Sequence, residues 1–99
     1  MGKRKITIKQ SVADCIAEVA WFIESKGMVA SAEQFSDSVY DFFEQMADDR
    51  RRFRLCRDPE NAAMGYKCVV YKRKYTIVII ESVSEIIICK FIPSKNIRW

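Results

Sequence analysis

The last third of the chain constrains its fold more than any other part. Three apolar runs follow one another there, YKCVVYK from 66, YTIVIIE from 75 and EIIICKFI from 85, joined only by Arg73-Lys74 and by Ser82-Val83-Ser84. Links this short turn neighbouring strands back on themselves as antiparallel hairpins, whereas parallel neighbours need a crossover of a dozen or more residues. In TIVII and EIIIC both alternating sets are apolar. Both faces of the resulting sheet are therefore expected to be covered, the second one by the C-terminal segment or by another chain.

The preceding residues change period. Ile6 and Ile8 alternate with Lys5, Thr7 and Lys9 as in a half-buried strand. Val12, Ile16, Val19 and Ile23 then form one helical stripe, with Ser11 and Asp14 spaced as a capping box and Gly27 as the stop. Trp21 lies almost opposite that stripe. Packing beneath the second helix or a sheet end is the first expectation for it, and an exposed anchor the second. The second helix is expected to start at Ser31, with Gln34 reaching back, and its stripe is Phe35, Val39, Phe42 and Met46. Asp37, Asp41, Glu44 and Asp48 fall on the opposite side, as a solvated face requires. RRRFRLCR from 50 reads as a cationic stretch, and DPENAAMG after it reads as a loop punctuated by Pro59, Asn61 and Gly65.

The order strand, helix, helix, strand, strand, strand predicts an α+β fold in one domain, 1–99. An N-terminal strand and a helical hairpin precede a three-stranded antiparallel meander, with the helices packed on one face of the sheet.

Composition removes several function classes. The chain has no histidine, and its cysteines, Cys15, Cys56, Cys68 and Cys89, include no C-x-x-C pair. The usual zinc sites and Cys-His or Ser-His nucleophile pairs are thereby excluded, and no metal or cofactor is expected. Cys68 and Cys89 read as small core residues of strands. No run reaches the roughly 20 apolar residues that span a bilayer, MGKRKITIKQ lacks the core of a secretion signal, and Ile6 breaks the myristoylation pattern begun by Gly2. A cytoplasmic location without membrane attachment is the expectation. Charge is uneven: residues 28–49 carry six anions and no cation, while residues 50–99 carry twelve cations and four anions. The C-terminal half can attract phosphate or an acidic protein segment, or can be a solvated basic face.

These features together resemble the RelE/ParE superfamily of bacterial toxins from type II toxin-antitoxin pairs, the kind that stabilise plasmids. The resemblance rests on the opening strand, on SVADCIAEVAWFIE, on SAEQFSDSVYDFFEQM with its Ser-Ala-x-x-Phe start, on GYKCVVYKRKYTIVIIE with its basic turn, and on the basic tail FIPSKNIRW. The resemblance implies a cognate antitoxin as partner. It implies one of two targets: DNA gyrase for ParE-like members, which act by binding, or the ribosome and messenger RNA for RelE-like members, which cut it. A non-toxic or degenerate interaction module is the third reading, and a homodimer is left open.

The residues lean toward the ParE-like branch. Lys67 matches a basic strand position of the nuclease pattern, but the second basic position falls near Val69, and Thr76 stands where an Arg follows the strand Tyr, here Tyr75. No Tyr lies beyond Tyr75, so the late catalytic Tyr is missing, although Lys95 or Arg98 can take the place of the late Arg. Phosphoryl chemistry needs groups to move protons as well as cations to hold charge. The resemblance thus implies a target- or antitoxin-binding surface formed by Lys67, Lys72, Arg73, Lys74, Tyr75, Lys95, Arg98 and Trp99. In the nuclease alternative Lys67, Lys95 and Arg98 are the catalytic candidates, and Tyr66, Tyr71 or Tyr75 stacks on a base.

Overall fold

A computed structural model of the chain describes residues 3–48 and 53–93. Its elements are β1 (Lys5–Ile8), α1 (Gln10–Ser25), α2 (Val29–Gln45), β2 (Arg54–Leu55), α3 (Pro59–Ala63), β3 (Lys67–Tyr71), β4 (Tyr75–Glu81) and β5 (Glu85–Pro93). The strands form one sheet in the order β1-β5-β4-β3-β2. The class is α+β.

The hairpins β3-β4 and β4-β5 are antiparallel, as their short links require. The sheet as a whole is mixed, because the N-terminal strand adds to the antiparallel meander in the parallel sense. β1 joins it parallel to β5, setting Ile6 beside Ile86 and Ile8 beside Ile88, and the helical hairpin supplies the long crossover that a parallel neighbour needs.

One irregularity decides which side chains meet the helices. Val78 is opposite Lys90 but Ile79 is opposite Ile88, so Cys89 is an extra residue in β5. Simple alternation from Ile86 and Ile88 would put Phe91 on the far face. With the bulge, Ile86, Ile88 and Phe91 all reach the core, where they meet Ile77 and Ile79 of β4, Val12 and Ile16 of α1, and Val39, Phe43 and Met46 of α2 and its end. Each fully buried aliphatic side chain in this set contributes about 1.5–3 kcal/mol. On the far face Val78, Thr76 and Cys89 are buried, whereas Ile80 and Ile87 are half-buried and Val70 is 60% exposed, so the cover expected on that side is partial.

The end of α1 follows its sequence signal, whereas the starts of α1 and α2 do not. Gly27 ends α1 as expected, with φ +83 and its N–H donating to Glu24 O at 2.8 Å. The capping assignments differ. α1 begins one residue before Ser11, and the polar pair near its start is Gln10 donating to the Asp14 carboxylate at 2.9 Å. α2 begins at Val29, which places Ser31 inside the first turn and leaves Met28 at the cap without a side-chain bond. The short link after Gly27 permits helix to resume at once, and tertiary packing overrides the cap preference. The region read as a loop contains α3. Asp58 accepts a bond from Asn61 N at 3.1 Å and Pro59 occupies the first turn, so the D-P-E sequence is a helix start rather than simple punctuation.

Trp21 is 70% exposed, which rules out the packed position first expected for it. The acidic face of α2 is solvated at Asp37, Asp41 and Glu44. Cys89 is buried as expected, but Cys68 is not a core thiol. It is half-buried and disulfide-bonded to Cys56, because the unexpected strand β2 lies beside β3 and brings the two together.

Candidate binding site at the β3-β4 hairpin

The turn between β3 and β4 sets three successive cations in water. Lys74 N donates to Tyr71 O at 3.1 Å, and the two residues between them, Lys72 and Arg73, have φ of 52° and 61°. Paired left-handed residues suit the twist of a tight hairpin, which is why Asn-Gly is common there, but long side chains adopt this backbone at a cost. Lys72, Arg73 and Lys74 are all exposed.

Aromatic packing gives the turn a firm base. Tyr71 is buried against Phe42 with ring centroids 4.8 Å apart, and Tyr75 stacks on Phe91 at 4.8 Å with Phe35 at 5.7 Å. The Lys72 ammonium lies 5.4 Å from the Tyr71 ring centroid. The tip cations therefore rise from a hairpin whose strand ends are anchored under α2. Because Tyr71 is committed to the core, it is not placed to stack on a base; Tyr66 and Tyr75 are half-buried.

Lys67 sits apart from this group. It starts β3 and lies about 13 Å along the strand from Tyr71 at the usual rise per residue. Its ammonium donates to Glu81 Oε1 at 2.7 Å, and Arg4 donates to Glu81 Oε2 at 2.6 Å. Arg4 also donates to the carbonyls of Met46 at 3.3 Å and Asp48 at 3.0 Å, so it joins β1, the end of α2 and β4. The Arg4 and Glu81 side chains are 4% and 7% exposed, and that of Lys67 is 29% exposed. Burial pushes the Glu81 carboxyl up, but the hydrogen bonds and charges of Lys67 and Arg4 outweigh it and hold the group below the ordinary carboxylate range. Lys67 is thus engaged in a structural ion pair.

Of the residues assigned to the binding surface, the hairpin brings together Lys72, Arg73, Lys74 and Tyr75. Lys95, Arg98 and Trp99 lie outside the described residues. Arg4 and Glu81 were missed from the sequence. Arg4 is hidden among the cations of MGKRK, whereas Glu81 carried a readable signal: it has the same strand parity as Ile77 and Ile79 and so points toward the helices, where a carboxylate requires a partner.

No protein-family model matches the chain, and no curated protein matches it significantly in sequence.

Proposed function

We propose that the chain is the toxin of a type II toxin-antitoxin pair, of the ParE-like branch of the RelE/ParE superfamily, and that it acts by binding a bacterial replication enzyme such as DNA gyrase. The sequence resemblance motivates the family. The helical hairpin on one face of a sheet whose last three strands form a meander is in keeping with it, with β1 added beside β5.

One observation carries the choice of a binding mechanism: Lys67, the best match to the nuclease pattern, is held by Glu81, while Lys72, Arg73 and Lys74 of the turn are exposed. A lysine whose charge is matched at 2.7 Å is poorly placed to stabilise a developing phosphate charge. The turn cations instead offer a point of contact for an acidic protein surface. The cognate antitoxin, in this reading, supplies an acidic amphipathic segment that covers the stretch 67–74, and both proteins act in the cytoplasm. Among the described residues no helix is long and apolar enough to cross a membrane.

Expression of the chain alone in bacteria tests the reading. Growth should stop with accumulating DNA damage and without new messenger RNA ends. New transcript ends would favour the ribosome-dependent nuclease, and unimpaired growth with folded protein present would favour the non-toxic module.

A further inference from the structure

The segment between β2 and β3 is held to the sheet by little besides its crosslink. From Phe53 to Val70 the single buried residue is Cys56, at 3% exposure. α3 buries none of its residues, and β2 pairs with β3 through two positions, Arg54 with Cys68 and Leu55 with Lys67, both β2 side chains being exposed. The other backbone bonds described for residues 56–66, such as Cys56 N to Tyr66 O at 3.1 Å and Tyr66 N to Asn61 O at 3.0 Å, run within the segment itself. By contrast β4 and β5 place Ile77, Val78, Ile79, Ile86 and Ile88 among the fully buried side chains of the core.

We propose that the disulfide between Cys56 and Cys68 is a reversible redox lock on this flap, residues 54–66, and that opening it frees the flap while the remaining sheet and the helical hairpin stay folded. The proposal is independent of the toxin reading. Loop closure is what the crosslink supplies, because residues 57–67 lie within the ring it completes. Segments with few buried groups open locally before the core does. When β2 leaves, the outer backbone groups of Lys67 and Cys68 lose their partners, and the edge of β3 is bare along its whole length.

The chemistry is thiol-disulfide exchange with a small thiol or a small disulfide. In opening, a thiolate attacks the half-buried Cys68 sulfur, the Sγ–Sγ bond breaks, and Cys56 leaves as a thiolate that takes up a proton. A second external thiolate then attacks the external sulfur of the mixed disulfide and releases Cys68, so two external thiols become one disulfide and two electrons pass to the protein. Closing is the reverse, with glutathione disulfide as the oxidant and two molecules of glutathione released. Burial pushes the Cys89 thiol up, which keeps it out of this exchange, and Cys15 lies on α1.

Hydrogen exchange of the full chain in glutathione redox buffers, with alkylation and mass spectrometry to count free thiols, tests the lock. Cys56 and Cys68 should become alkylated together on reduction and be protected again on oxidation. Amides of residues 54–66 should exchange at least about tenfold faster in the reduced protein, while those of Ile77, Ile79 and Ile88 stay within about twofold. The double variant Cys56→Ser/Cys68→Ser should match the reduced protein and ignore the buffer, and Cys15→Ser should keep the full response. The proposal is overturned if glutathione disulfide does not close the bond, if flap exchange is the same in both states, or if reduction or the double substitution opens the β4 and β5 amides as well.

Discussion

Replacing Glu81 by Gln probes the charge cluster that ties the first strand to the rest of the fold. The substitution keeps the shape but removes the charge shared by Arg4 and Lys67. Arg4, with 4% side-chain exposure, then holds a charge in a dry site, the situation in which breaking a buried pair costs about 3–5 kcal/mol. Lys67→Met is the contrasting change. Its side chain is 29% exposed and Glu81 retains Arg4, so a cost of about 1 kcal/mol or less is expected. At the usual sensitivity of a domain this size, the Gln variant should melt roughly 12 °C or more below the parent, and the Met variant only a few degrees below it. Chemical denaturation at constant slope checks the same difference. The pH dependence has a definite sign. A carboxyl whose folded pKa is depressed contributes stability that is fully present above its unfolded value, about 4.3, and is lost as pH falls through the lower folded value. The parent should therefore lose stability below about pH 4.3 more steeply than Glu81→Gln does. Equal costs for the two variants, or identical acid limbs, would refute the assignment of Glu81 as the shared partner of a buried arginine.

Three further outcomes follow from the backbone and the core. Lys72→Asn combined with Arg73→Gly should raise stability by roughly 1 kcal/mol in urea titration, because both residues hold left-handed backbone that Asn and Gly adopt more readily; a loss of stability would show that the native side chains support the turn. Ile88→Ala removes a fully buried side chain facing both β1 and the helices and should cost about 2–5 kcal/mol by the same assay. Gly27→Ala should cost about 1 kcal/mol in thermal unfolding even though the added methyl meets nothing within 4 Å, since the penalty lies in φ +83.

Periodicity made the helical hairpin, the three closing strands and the solvated acidic face legible in the sequence, because each is long enough for its apolar pattern to repeat. Elements too short to have a period were not legible. β2 has two residues and is set by the strand it lies beside, while α3 has five and is marked only by its Asp58-Pro59 start. The disulfide was hidden for the same reason: a separation of 12 between Cys56 and Cys68 says nothing until β2 is known to neighbour β3. The parallel placement of β1 depends on the choice of edge strand, which Ile6 and Ile8 alone do not make. Within the candidate site the basic turn was legible as part of the family resemblance, whereas the engagement of Lys67 required knowing that Glu81 lies diagonally across the β3-β4 ladder.

The proposed toxin function places its working surface on the three exposed cations of the β3-β4 turn. Viable counts after induction of the parent chain and of Lys72→Asn/Arg73→Gly in bacteria, at matched levels of folded protein, measure this. The parent should arrest growth and the variant should not, despite being at least as stable. Arrest of equal depth by both chains, or none by the parent, would contradict it.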